Sequence, residues 1–272
     1  MPIETINGVN IFLQEFGSGD PVVLVHGSWV DHMEWPFIVP GLAQRFRVVV
    51  YDRRGHGQSE RLPTQGSIRE DVADLAAIIE RAGAPADVLG SSMGASISLR
   101  LAAERPDLFR TVNVHEPPLF DLLRDDPKTK PLAEELDNSF LSVADELAAG
   151  NMEAGARRFV EMVLGPGTWD TFLPDEARST LINNAPTFLD ETRDPEMLSI
   201  DVNALARFSK PVLLTGGSES PPFFASVLNK LAAVLPNAER KTFAGAGHLP
   251  HLTQPQEYVA AITEFIDASS SS

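Results

Sequence analysis

The pentapeptide Gly90-Ser91-Ser92-Met93-Gly94 follows a short apolar run, Asp87-Val88-Leu89, and opens a helical stretch that reaches to about Glu104. A serine on a sharp strand-to-helix corner projects its hydroxyl into open space, and glycine on both sides spares the turn a clash with neighbouring backbone. Ser92 is therefore a candidate nucleophile. The N–H of the next residue, Met93, falls at a helix N-terminus, where unpaired donors and the helix dipole favour a developing oxyanion. Upstream, Val22-Val23-Leu24-Val25 runs into His26-Gly27-Ser28-Trp29, a loop that can aim a second donor, the Ser28 N–H, at the same oxyanion. Toward the other end, Gly245-Ala246-Gly247-His248 carries a histidine on a small-residue loop just before a helix, a position from which a general base reaches over a sheet edge. A nucleophile, a base and two backbone donors together make acyl transfer the chemistry to expect.

Other polar residues compete for these roles. His251 lies three positions after His248, but it follows Pro250 and adjoins Leu252, and the glycine-rich approach favours His248. Asp52 is expected to tie down its own glycine-rich turn, His56 to pack in that loop, and His115 to neighbour the site. Taken in order, His26-Gly27, Asp52-Arg53-Arg54-Gly55-His56-Gly57-Gln58-Ser59, the serine corner and Gly247-His248 resemble the signature series of the α/β-hydrolase superfamily over essentially the whole chain. The resemblance implies a triad in the chain order serine, acid, histidine. It implies no substrate, because the superfamily includes esterases, lactonases, carbon–carbon hydrolases, peroxidases, lyases and hormone receptors.

Two glutamates compete for the acid. Gly216-Gly217-Ser218-Glu219 matches the Gly-x-x-acid spacing common in the superfamily, with Glu219 in place of the usual aspartate. Val114-His115-Glu116-Pro117-Pro118 puts Glu116 at the carboxyl end of a strand, 24 positions after Ser92, with two prolines to fix the backbone direction. That placement resembles haloalkane dehalogenases and, more closely, fungal zearalenone lactonases, whose catalytic glutamate lies in a similar His-Glu-x-Pro segment. The reading favours Glu116 and keeps Glu219 as the alternative. Serine rather than aspartate at Ser92 argues against epoxide hydrolase and dehalogenase chemistry, which need a carboxylate nucleophile there.

The elements that must position these residues are legible as an alternation of strands and helices. Residues 2 to 15 alternate around Asn7-Gly8 as a β-hairpin. Val48-Val49-Val50, Val112-Asn113-Val114 and Pro211-Val212-Leu213-Leu214 are short apolar runs, as expected of strands covered on both faces. Ser67-x-x-Glu70 is a capping box opening a helix, and Thr253-x-x-Gln256 predicts another before the last helix. The pattern predicts an α/β fold, a doubly wound and mostly parallel sheet, with residues 1–118 and 207–268 as its core. Residues 119–206 break the rhythm with amphipathic patterns such as Phe159-Val160-Val163 and no convincing strand, and are expected to form a helical lid between two strands. Residues 269–272 are expected to be a disordered tail.

Composition narrows the partners. The net charge is −16, and 22 Lys and Arg scattered among 38 acids cannot assemble a basic face for nucleic acid or an anionic membrane. Residues 121–205 hold 18 acids and 7 Lys or Arg, so anionic substrates are expected to be disfavoured. The absence of cysteine excludes disulfides and thiol nucleophiles. Met1-Pro2-Ile3-Glu4 carries no basic segment, and no stretch approaches the ~20 apolar residues of a membrane span, so a cytoplasmic protein is expected. The expected activity is hydrolysis of a neutral, fairly apolar carboxylic ester or lactone through Ser92, His248 and a glutamate, without metal or cofactor. Trp29 and Trp169 are candidates for the substrate pocket. A carbon–carbon bond hydrolase, a cofactor-free haloperoxidase and a non-catalytic ligand receptor are the alternatives.

Overall fold

In the computed structural model, which describes residues 2–270, Asn7 and Gly8 turn the chain with φ of +47° and +81°. This is the left-handed pair that a two-residue hairpin needs, and it joins β1 (Ile3–Ile6) to β2 (Val9–Gly17) in antiparallel register. Six further strands follow: β3 (Pro21–Val25), β4 (Arg47–Tyr51), β5 (Ala86–Ser91), β6 (Phe109–His115), β7 (Val212–Gly217) and β8 (Ala238–Phe243). They form one sheet in the order β1-β2-β4-β3-β5-β6-β7-β8, with only β1–β2 and β2–β4 antiparallel.

Helices cover both faces. They are α1 (Val39–Leu42), α2 (Ile68–Ala82), α3 (Met93–Glu104), α4 (Lys130–Ala148), α5 (Met152–Leu164), α6 (Thr168–Thr171), α7 (Asp175–Arg193), α8 (Val202–Leu205), α9 (Pro222–Val234), α10 (Pro250–Thr253) and α11 (Pro255–Ser270). Successive residues of a strand point to opposite faces. Val23 and Val25 of β3 accordingly join Val72, Leu75 and Ile97 of α2 and α3, while Val22 and Leu24 join Leu42 of α1 and Ile262 of α11. The Ser67–Glu70 capping box forms, the Ser67 N–H donating to the Glu70 carboxylate at 3.0 Å. Between β6 and β7 the chain forms helices and turns without a strand.

Three local expectations are corrected. Thr253 does not open a capping box: it ends α10 and its hydroxyl donates to Leu249 O at 3.1 Å. Ser269 and Ser270 are not a disordered tail but continue α11, their hydroxyls donating to Phe265 O (2.8 Å) and Ile266 O (2.9 Å). Residues 271 and 272 lie outside the described residues. The strand β8 was not expected, because its outer position leaves Glu239 and Arg240 exposed and its sequence polar. No helix among the described residues is long and apolar enough to cross a membrane.

Candidate active site

The loops that leave β3, β5, β6 and β7 emerge at the carboxyl edge of the parallel strands, where open α/β sheets bind ligands. At the end of β5, Ser92 takes φ +51° and ψ −118° before α3 begins at Met93. The flanking glycines are sterically fixed: a Cβ on Gly94 would lie 2.0 Å from Val25 O, and one on Gly90 would lie 2.5 Å from Gly94 O. Trp29 (φ +70°) and Glu116 (φ +44°) are also left-handed. Three non-glycine residues in this sparsely populated region therefore cluster at one edge of the sheet, where stored backbone strain is a mark of functional sites.

Glu116 follows β6 directly and is 1% exposed. Its Oε2 accepts from His248 Nδ1 at 2.6 Å, and its Oε1 accepts from the Gly217 N–H at 2.8 Å. Burial works against the charge on Glu116, but the bond from His248 and the field of His115 more than offset it and hold the carboxyl at about 2. An ionised carboxylate only accepts, so the hydrogen on His248 is assigned to Nδ1 and the neutral ring keeps Nε2 as an acceptor. The Phe224 ring lies parallel to the imidazole at 4.5 Å. Around Ser92, the N–H groups of Ser28 and Met93 donate to no protein acceptor among the described residues, and both residues line one cavity with the serine.

The alpha/beta hydrolase fold profile matches residues 20–255. The chain belongs to the α/β-hydrolase fold family. It is 31% identical over 264 residues to a pimeloyl-[acyl-carrier protein] methyl ester esterase from Chromobacterium violaceum, covering 95% of this chain and 99% of that one. Among solved structures it is similar to a thermophilic esterase from Thermogutta terrifontis, with a TM-score of 0.77, 22% identity and 98% of each chain covered. It is also similar to the enol-lactonase from Burkholderia xenovorans, with a TM-score of 0.75, 17% identity, and 98% of this chain and 100% of that one covered. At these identities the two structures speak for the fold alone.

In this α/β-hydrolase the cavity at Ser92 is walled by Phe120, Phe140, Phe159, Phe188, Phe223 and Phe224, with no charged side chain in its lining among the described residues. Trp29 and Trp169, expected in the pocket, do not line it. Trp29 is fully buried behind the wall, its ring 5.1 Å from Phe159 and 4.8 Å from Phe188. Trp169 is buried in the helical segment under the Arg157 guanidinium, 5.7 Å away. Both indoles supply packing area, and the smaller phenyl rings face the serine. Sequence reasoning missed this phenylalanine set because its members are spread over five separate elements.

The competing residues sit elsewhere. Glu219 is exposed and its carboxylate accepts from the Ser218 hydroxyl at 3.0 Å, so the fold does not bring it to His248. His251 is fully buried with its ring 5.1 Å from Trp35. Asp52 accepts from the Gln58 N–H at 2.8 Å, closing its own turn, and reaches His32 Nδ1 at 2.7 Å. His56 is buried between Arg54 O and Thr187 Oγ1. Glu34 was missed: it accepts from the Gly27 N–H at 2.8 Å, and burial pushes its carboxyl up to about 7. Its signal in the sequence was a lone acid between Met33 and Trp35. Two groups, His115/Glu116/His248 and Asp31/His32/Asp52, place possible metal-ligating atoms within 4.8 Å of one another, but in each the central pair is already joined.

Proposed function

We propose that this α/β-hydrolase cleaves a neutral, fairly apolar carboxylic ester or lactone through an acyl-enzyme on Ser92, with His248 as the base and Glu116 as the acid. The observation that carries the reading is the chargeless aromatic cavity that holds Ser92 beside two unpaired N–H donors, those of Ser28 and Met93. An apolar wall favours an apolar substrate, and unpaired donors beside a nucleophile are what a tetrahedral oxyanion requires. In the mechanism, Ser92 Oγ attacks the carbonyl carbon while His248 Nε2 takes its proton. The carbonyl oxygen becomes the oxyanion held by the two N–H groups, and Glu116 fixes the ring and balances the imidazolium. The carbon–oxygen bond to the leaving alkoxide breaks as His248 returns the proton to it. Water, deprotonated by His248, then cleaves the acyl-enzyme; with a lactone the alcohol stays tethered to the acyl chain.

The relative from Chromobacterium violaceum is an esterase by name, which agrees with ester chemistry here. The helical segment of residues 119–206 is read as a lid over the cavity, and its excess of acids disfavours substrates that carry a carboxylate. The test is a panel of neutral p-nitrophenyl esters and lactones followed at early times. A burst of p-nitrophenolate with an acyl adduct on Ser92 is expected, and Ser92→Ala should cost on the order of 10⁶ in kcat. Retention of more than about a tenth of the activity by Ser92→Ala would sink the covalent route, and stoichiometric binding without turnover would point to a receptor.

A further inference from the structure

Asn184, Thr187 and Glu191 lie three and four residues apart on α7 and so share one face of that helix. The face is turned toward two loops of the core. Asn184 Nδ2 donates to the carbonyls of Trp29 (3.1 Å) and Val30 (3.2 Å), and its Oδ1 accepts from the Gly57 N–H at 3.2 Å. Thr187 Oγ1 lies 2.9 Å from His56 Nε2. Glu191 Oε2 accepts from the Ser28 hydroxyl at 2.6 Å, and its Oε1 meets Arg53 Nη2 at 2.9 Å. Arg53 is anchored to Asp71 at 2.7 Å and donates through Nη1 to Gly27 O at 3.2 Å. Two of the three α7 side chains thus bond directly to the segment from Ser28 to Val30, and Glu191 also holds the arginine that braces Gly27.

That segment needs holding. Trp29 has φ +70°, an unfavourable backbone state for a bulky side chain that persists only where its surroundings over-determine it. Here the surroundings belong to the helical segment: Asn184 binds the carbonyl of Trp29 itself, and the Phe159 and Phe188 rings pack on its indole. Stability alone does not account for Glu191 and Arg53. The arginine side chain is 1% exposed and the glutamate 11%, and desolvating such a pair costs about as much as the attraction returns.

We propose that Glu191 is a positioning residue for the oxyanion site, fixing Ser28 from the helical segment so that its N–H is in place only while that segment is docked; this rests on the role given to Ser28 above. The helical segment then does more than shape the pocket. It completes the catalytic loop.

The experiment compares Glu191→Ala, Ser28→Ala, the double variant and Glu191→Gln on one neutral p-nitrophenyl ester, with active sites counted by a fluorophosphonate. Phenylboronic acid, which forms a tetrahedral adduct on serine, reports the oxyanion site separately. Glu191→Ala should lower kcat per titrated site by about 10- to 100-fold, part of the 10²–10³ lost with an oxyanion donor itself. KM should stay within about threefold, and the boronate inhibition constant should rise in step with the fall in kcat. Ser28→Ala should show the same split, and the double variant should be no worse than Glu191→Ala, because both changes cut one link. Glu191→Gln, which can still bond Ser28, should recover most of the loss. An unchanged kcat per site, or losses that multiply in the double variant, overturns the proposal. If Glu191→Ala does not fold, Ser28→Ala must show the split alone, since it leaves the Arg53–Glu191 pair intact. Ser92→Ala run alongside separates the two claims: activity surviving in it ends the acyl-enzyme reading, whereas its loss together with an unaffected Glu191→Ala ends only the positioning role.

Discussion

The loops that follow β6 and β7 leave neighbouring parallel strands at the same edge of the sheet, and each carries a glutamate within two residues of its strand's end. Glu116 is buried, accepts from His248 and from the Gly217 N–H, and is followed by two prolines. Glu219 is exposed and bonds to the serine beside it. The end of β7 itself nonetheless takes part, through its backbone: Gly216 leaves room for the Glu116 carboxylate and Gly217 donates to it. The comparison teaches that a motif's glycines can support a neighbouring carboxylate while its own acid stays at the surface, away from the histidine. In a Gly-x-x-acid pattern the first positions and the last are separable.

The largest effect that can break this comparison is loss of the tautomer control assigned to Glu116. Glu116→Gln should lower kcat on one neutral ester by roughly 10³- to 10⁴-fold, since an amide no longer compels Nδ1 to carry the hydrogen. The same carboxyl should leave a mark on stability. Its pKa in the fold is depressed to about 2 from an ordinary 4.5, burial being outweighed by the His248 bond and the neighbouring histidine charges. A depressed acid stabilises fully above its unfolded pKa and loses that contribution as pH falls through the folded one. The window is therefore pH 4.5 down to 2, and the contribution is about 3 kcal/mol. Urea unfolding from pH 6 to 2 should be steeper in pH for the wild type than for Glu116→Gln. Parallel curves would mean the carboxylate is not held as described.

What was legible in the sequence was what local chemistry dictates. The Asn7-Gly8 turn, the Ser67–Glu70 box and the serine corner each announce themselves within a few residues, because positive φ, orphan helix donors and close backbone approach restrict residue type at short range. Side chains that meet across the fold were not legible. Gly216 looks like loop freedom until β6 is seen beside β7, and Trp29 suggested a pocket because its strained φ and its backing of Phe159 and Phe188 exist only in three dimensions. The Asn184/Thr187/Glu191 face had a readable signal, polar residues at helical spacing. Nothing along the chain says that the face meets Ser28 rather than water.

Gly216→Ala tests the supporting half of the comparison. A Cβ there would stand 2.8 Å from Leu228 Cδ1 and 3.1 Å from Glu116 Oε1. The leucine end can swing away, but the carboxylate is pinned by two bonds and must shift by a few tenths of an ångström. If a 1 Å misplacement costs about 10²-fold, this smaller shift should cost kcat about tenfold, with KM little changed. A variant folded and fully active would show that Gly216 is not needed for the carboxylate's seat.

The smallest expected effect is the sharpest test of Glu219. Glu219→Ala removes a carboxylate that is exposed and, among the described residues, bonded only to Ser218 Oγ. The bonds that tie this loop to the histidine loop use other atoms: the Glu219 N–H donates to Ala246 O at 2.9 Å, the Ser218 N–H to Phe243 O at 3.0 Å, and the Gly245 N–H to Ser218 Oγ at 2.8 Å. All three survive truncation of the glutamate, so His248 keeps its approach. Surface changes away from such links usually shift stability by no more than about 0.5 kcal/mol, and with His248 still held, kcat should stay close to that of the wild type. The measurement pairs Glu219→Ala with Ser218→Ala, whose hydroxyl does anchor Gly245. The serine change should be the more damaging of the two. The reverse ranking, with both variants folded, would return the acid's role to the loop after β7.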